Sequence, residues 1–118
     1  MSESVKTMAS KVAVPCDPVT LETVQTRIRA LFGAKDARRG LDGTFMWFME
    51  EVGELASGLR GGDATDQVAT EFADVLAWLA TLANIRGVDL GQAFRDKYGL
   101  GCPGCRHEPC DCLPQEKP

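Results

Sequence analysis

Between Phe72 and Ile85 the chain carries one charged residue, Asp74, in a stretch otherwise apolar or small. No other feature constrains the fold as much. A segment that is apolar nearly all round a helical period needs cover on several sides, from other helices or from a second chain. Its bounds are legible. Gly61-Gly62 breaks the preceding segment, Asp63 or Thr65 can cap the start, and Gly87 after Arg86 suits a left-handed C-terminal cap. This helix is expected to be central and buried, with Asp74 a lone charge in its wall, where an unpartnered carboxylate is costly.

The flanking sequence supplies three more helices. Asp17-Pro18 reads as a start, with Leu21, Val24, Ile28 and Leu31 at helical spacing and Gly33 as the stop. A basic loop follows, with Lys35, Asp36, Arg38, Arg39 and Gly40. The second helix, capped by Asp42 or Thr44, carries the stripe Phe45, Phe48, Val52, Leu55 and Leu59. After Gly87, Asp89 to Gln92 reads as a capping box for a fourth helix that ends at Tyr98 and Gly99. There is no strand alternation and no internal repeat. The expected class is all-α, a four-helix bundle over residues 17–100. A polar, aperiodic segment at 1–16, expected to be disordered, precedes it, and a Cys-rich tail at 101–118 follows. The length of 118 residues, with 44% hydrophobic and 25% charged residues, fits one compact domain. Four helices leave the apolar one short of cover, so at least a homodimer is expected.

Charge excludes some functions. A formal net charge of -4 argues against a general nucleic-acid surface. No run of about 18 apolar residues occurs, so no transmembrane helix and no membrane partner are expected. Met1 to Val14 lacks the apolar centre of a signal peptide, and a cytoplasmic location is expected.

The acidic residues are patterned. Glu51 and Glu54 lie at i and i+3 on the second helix, beside Glu50, and Glu71 and Asp74 repeat that spacing on the third. If the two helices fold back at Gly61-Gly62, Glu54 and Glu71 each lie roughly 9 Å from the turn at about 1.5 Å per residue. Glu54 then meets the level of Glu71, and Glu51 that of Asp74. Neither Phe45 to Leu59 nor Asp66 to Ile85 contains a Lys or Arg. Four converging carboxylates without basic partners ask for a hard divalent cation, Mg²⁺ or Mn²⁺. The plainer alternative is a pair of solvated acidic faces, which is strongest for Glu50 and weakest for Asp74.

The pattern Glu50-Glu51-x-x-Glu54, sixteen residues, Glu71-x-x-Asp74 resembles the signature of the MazG-like nucleotide pyrophosphohydrolases, within the all-α NTP pyrophosphatase superfamily. Its setting, EEVGELASGLRGGD and EFADVLAWLATLANIRGVDL, matches as well, and the likeness covers about residues 20 to 98. The resemblance implies an enzyme that splits a nucleoside triphosphate into a monophosphate and pyrophosphate, with Glu51, Glu54, Glu71 and Asp74 holding Mg²⁺. Bound ions would link the carboxylates to the triphosphate and activate water for attack at the α-phosphorus, with Glu51 or Glu50 taking the proton. Asn84 and Lys97 fall where the family often places substrate-contacting groups, and a homodimer or higher oligomer agrees with family precedent. Lys35, Arg38 and Arg39 could hold distal phosphates, or simply solvate a loop. Trp47 and Trp78 could each stack on a base, although core or dimer packing is the preferred reading for both. Family members often carry a longer polar segment after the last helix. Here Gly99 and a cysteine cluster replace it, which weakens any expectation of phosphate contacts from that end.

Cys102-Pro-Gly-Cys105 resembles a zinc knuckle, and Cys110-Asp-Cys112 follows closely. Four thiolates would complete a structural zinc site, although the second pair is a CxC, so the match to a zinc ribbon is partial. Free or redox-active thiols are the alternative, with His107 read as loop and Cys16 as incidental. Two rival functions stand beside the leading one. One is a phosphoribosyl-ATP pyrophosphatase-like enzyme. The other is a non-catalytic helical scaffold with a zinc-binding interaction tail.

Overall fold

The structure, a computed structural model, describes residues 18–118. The expected disorder of 1–16, and with it Asp17 and Cys16, lies outside the described residues. Among those described there are three helices and no strand: α1 (Leu21–Gly61), α2 (Thr65–Arg86) and α3 (Leu90–Tyr98).

Helix α1 starts with a reciprocal cap. The Thr20 hydroxyl accepts the Thr23 N–H at 3.1 Å, and the Thr23 hydroxyl accepts the Thr20 N–H at 2.7 Å. Pro18 therefore stands before the helix, not in its first turn. Gly33 does not stop α1, and the segment expected to be a basic loop is helical. A glycine inside a helix costs only about 0.5–1 kcal/mol relative to alanine. The Asp36–Arg39 ion pair at i and i+3 supports the turn that follows. The break falls at Gly40, with φ 81° and ψ 178°, a region open essentially to glycine alone. Neither Asp42 nor Thr44 caps a new helix. The Thr44 hydroxyl, fully buried, donates to the Gly40 carbonyl at 2.7 Å and accepts from Arg39 Nε at 3.1 Å, clamping the bend from both sides. The first two helices of the expected four-helix bundle thus abut at the kink at Gly40 with no loop between them, and together make up α1.

Contacts between α1 and α2 descend one helix as they climb the other. Gly58 lies against Val68, Glu51 meets Asp74, Trp47 meets Trp78, and Gln25 meets Asn84. That order defines an antiparallel pair. The hairpin between them turns at Gly62 in the left-handed region (φ 70°), and Gly87 closes α2 in the same way (φ 70°). The N-cap of α2 is Ala64, not Asp63 or Thr65. No side chain caps it, and the nearby Asp66 carboxylate accepts the Gln67 N–H instead. Asp89 does cap α3, accepting the Gln92 N–H at 3.0 Å, but the Gln92 side chain reaches on to Asp96, so only half the box forms. Gly99 keeps a right-handed conformation, and the chain turns at Gly101 (φ 108°) instead.

A polar pin fastens the far end. Gln25, buried, donates to Asn84 Oδ1 and to the Val88 carbonyl and accepts the Leu90 N–H, while Asn84 donates back to the Gln25 carbonyl. One side chain thereby joins the start of α1, the end of α2 and the start of α3.

The apolar core is small. Among the described residues only Ile28, Ala80 and Ala83 are buried hydrophobics. The expectation that the apolar helix is central and buried therefore fails for the single chain. Phe72, Leu76 and Leu79 of α2 are 37–54% exposed, and Phe45, Leu59 and Leu31 of the expected α1 stripes also face outward. By length and composition α2 meets the requirement for crossing a bilayer, contrary to the sequence-based expectation. Two carboxylates of α2 gathered against α1 fit a helix packed in a protein better than one facing lipid.

The bend yields a test. Gly33→Ala should stabilise the fold by about 0.5–1 kcal/mol, whereas Gly40→Ala should destabilise it by roughly 1–3 kcal/mol, both read by chemical denaturation. A destabilised Gly33→Ala with an unaffected Gly40→Ala would put the break back at Gly33.

Candidate active site

The antiparallel register brings one carboxylate oxygen each from Glu51, Glu71 and Asp74 within 4.8 Å of one another. Glu54 joins them at the rim. It is exposed, and its proximity and charge raise the proton affinity of both Glu51 and Glu71. The structure therefore clusters three residues of the two i, i+3 pairs, Glu51, Glu71 and Asp74, with Glu54 outside the group at its edge. Glu50, one residue earlier, is exposed and outside the cluster.

Electrostatic crowding is visible in proton affinity. Burial, followed by the Glu54 contact and the charges of Asp74 and Glu71, pushes Glu51 up from an ordinary 4.5 to about 7. Glu71 is raised too, by desolvation first and then by Glu54, Asp74 and Asp63. Glu51 Oε2 is buried without any hydrogen-bond donor, an acceptor surrounded by acceptors. A divalent cation fits this donor set. All ligand atoms are hard oxygens, Glu51 carries an orphan buried oxygen, and among the described residues no basic side chain forms an ion pair with any of the four.

Beside the cluster is a cavity of about 250 Å³ between the first half of α1 and α2. Asp74 and Trp78 form part of its wall, with Lys35, Asp36 and Arg39 opposite. Lys35 lines the cavity and is exposed, while Arg38 is exposed but does not line it. Arg39 is engaged on three sides. It pairs with Asp36, bonds Thr44, and lies over the Trp78 ring with its guanidinium carbon 4.8 Å from the centroid. Trp47 stacks on Trp78, centroids 6.3 Å apart at 20°. The two indoles pack on each other, with Trp47 48% exposed and Trp78 open to the cavity.

Asn84 and Lys97 lie elsewhere. Asn84 is ten residues past Asp74, about 15 Å along α2, and its polar atoms are taken by Gln25 and Arg29. Lys97 is on α3, its ammonium 5.6 Å from the Tyr98 ring centre, in a cleft it shares with the cysteine-rich tail. Two residues given no role by sequence reasoning matter here. Asp36 is buried and orients Arg39, and its signal was an acid three residues before an arginine. Gln25 positions Asn84 and left no local signal at all.

In the tail the sulfurs of Cys102, Cys105, Cys110 and Cys112 also gather within 4.8 Å of one another. The Cys105 and Gly104 backbone N–H groups help pull Cys102 down to about 6, while contact with the Cys110 and Cys102 sulfurs pushes Cys112 up to about 12.

The raised Glu51 carboxyl has a sign that can be tested. Between about 4.5 and 7 the folded chain binds more protons than the unfolded one, so in chelator its stability should fall as pH rises through that window. Mg²⁺ should flatten the fall, and Glu51→Gln should reduce it, leaving the part due to Glu71. A denaturation midpoint that rises over the same window in chelator would contradict the crowding described above.

Comparison with known proteins agrees with this geometry. The sequence profile of the MazG nucleotide pyrophosphohydrolase domain matches residues 40–99, a span that contains all four carboxylates. A dATP/dGTP diphosphohydrolase of Cyanophage S-2L is 34% identical over 83 residues, covering 70% of this chain and 74% of that protein. The carboxylate-bearing hairpin is thus the core of a shared domain, and the chain belongs to the MazG nucleotide pyrophosphohydrolases, hydrolases that act on phosphoric anhydride bonds.

Proposed function

We propose that the chain is a Mg²⁺-dependent pyrophosphohydrolase that converts a nucleoside triphosphate to its monophosphate and pyrophosphate. The observation that carries this reading is the convergence of Glu51, Glu71 and Asp74 around the donorless Glu51 Oε2, at the edge of a cavity with cationic and aromatic walls. Glu51, Glu54, Glu71 and Asp74 would hold the ion. When bound, it would supply charge neutralisation for the triphosphate and lower the pKa of the attacking water. The chain's own groups do the rest. Lys35, at the cavity rim, is placed to meet phosphate oxygens, with Arg38 a second exposed cation on the same helix. Arg39 is held by Asp36 and Thr44, so its main task is to keep the Trp78 face aligned. Of the two candidates for accepting the proton of water, Glu51 reaches the cluster and Glu50 does not.

At about 250 Å³ the cavity is smaller than the roughly 300–1,000 Å³ usual for ligand pockets. A nucleotide would extend from it, and the half-exposed Trp47 offers a flat surface on which to do so. The likeness to a dATP/dGTP diphosphohydrolase supports purine deoxynucleoside triphosphates as the first substrates to try. Nothing observed favours a phosphoribosyl-ATP substrate or a non-catalytic scaffold.

A second copy of the chain completes the proposal. Three buried apolar side chains are a slender core, and Phe72, Leu76 and Leu79 form an exposed stripe at i, i+4 and i+7 on α2. A homodimer or higher oligomer would bury it.

Two measurements decide these points. Pyrophosphate release from a panel of ribo- and deoxynucleoside triphosphates should require Mg²⁺ or Mn²⁺. It should fall at least about 100-fold in Glu51→Gln and Asp74→Asn, a loss typical of removing a group that acts on the transition state, and far less in Glu50→Gln. Orthophosphate as the product, or undiminished activity in Asp74→Asn, would overturn the assignment. Sedimentation at micromolar concentration should give a dimer or larger, and a monomer would refute the oligomer.

A further inference from the structure

We infer that the cysteine-rich tail is a closed structural zinc site, formed by Cys102, Cys105, Cys110 and Cys112, that shapes the chain after α3. The spacing of the sulfurs carries the inference. Cys102 and Cys112 Sγ stand 3.8 Å apart, Cys105 and Cys110 Sγ 3.9 Å apart, and all four lie within 4.8 Å. Zinc bound at about 2.3 Å by four thiolates places them about 3.8 Å apart along the edges of a tetrahedron. Bonded disulfide sulfurs would be about 2.05 Å apart. The sulfurs therefore have the separation of ligands around a shared centre.

The backbone is arranged to suit. The N–H groups of Gly104, Asp111 and Cys112 point at the sulfurs of Cys102, Cys105 and Cys110 at 3.2–3.3 Å, the kind of outer contact that orients a thiolate and offsets its charge. The knuckle closes through Arg106 N–H to the Cys102 carbonyl at 2.7 Å, with Arg106 in the left-handed region (φ 67°). A Cβ at Gly104 would come 3.2 Å from Cys112 Sγ, so the turn is bare where the sulfurs crowd.

The ligand set is closed. His107, the sole histidine, faces Asp111 at 2.6 Å and is not among the clustered ligands. Four protein ligands leave no open position, which makes the site structural. Tetrahedral thiolate sets take zinc or iron. Cys110 is exposed, and an ion without redox chemistry suits a site open to oxygen. The tail also has little else to fold around. Residues 99–118 contain no helix or strand, and Leu100 and Leu113 are 79% and 57% exposed. Metal binding supplies the folding energy in such segments. The shaped tail meets α3 at Tyr98, which borders a hollow with Cys102, Pro109 and Pro118.

The full chain, purified under reducing conditions and washed with excess Mg²⁺ to clear the carboxylate cluster, should retain one zinc ion per chain by mass spectrometry of the elements. Cobalt should replace it with the intense visible absorption of a tetrahedral thiolate complex. Cys105→Ser and Cys112→Ser should each lose the ion. Stripping zinc from the unaltered chain should speed amide exchange in 101–118 while the circular dichroism of the helices is kept, an arm that does not depend on any variant folding. Four outcomes would overturn the site: iron in place of zinc, cysteines paired as disulfides, zinc displaced by Mg²⁺, or a tail equally protected with and without metal.

Discussion

Like-charge repulsion across the α1–α2 seam is the constraint on which the rest depends. Glu51, Glu71 and Asp74 present oxygens to one another in a half-buried setting, with Glu54 at the rim. An arrangement of this kind is unfavourable on its own, as the raised proton affinities of Glu51 and Glu71 record. It persists because the surrounding frame imposes it. The left-handed Gly62 sets the hairpin, and the Gln25–Asn84 pin secures the other end, so the helices cannot slide to separate the charges. Stability is given up locally, and a bound cation of the kind proposed would recover it, coupling the folding of the hairpin to its chemistry.

The same logic explains the uneven division of labour along α1. Its second half supplies Glu51 and Glu54 and forms the hairpin. Its first half contributes Lys35, Asp36 and Arg39 and walls the cavity. Buried polar contacts take the place of a large apolar core: Thr44 and Asp36 hold Arg39 and the bend within α1, and Gln25 joins α1 to α2 at the pin. With so few buried apolar residues, directional bonds do much of the positioning, and apolar surface on both helices is left facing outward.

How much of this could be read from the sequence depended on whether the signal was local. The Gly62 and Gly87 caps, the Asp89 cap and the register of Glu51 against Glu71 and Asp74 follow from turn chemistry and helical periodicity, both fixed within a few residues. The distinction between Gly33 and Gly40 does not. Either glycine is compatible with a helix or a break, and the choice is made by contacts that the bend itself creates, among Arg39, Thr44 and Trp78. The buried Gln25 was illegible for a similar reason. Its partner Asn84 lies 59 residues away, and a polar residue on a helix is ordinarily assigned to solvent. The apolar run in α2 was read correctly as a helix that needs cover, and one chain does not supply all of it, because periodicity reports the need for cover and not its source. The cysteine cluster was legible as a set of four with His107 left to the loop, and the structure adds that His107 faces Asp111.

The bend at Gly40 has a consequence for how such a cleft can diversify. The α1 wall of the cavity, from Ile28 to Arg39, lies entirely before this residue, and Glu51 and Glu54 lie beyond it. The angle between these two stretches is governed at a residue without a side chain. The placement of the wall and the chemistry of the carboxylate cluster are therefore separate variables in this architecture. Variation in the backbone angle at the bend would swing one against the other without altering a side chain of either.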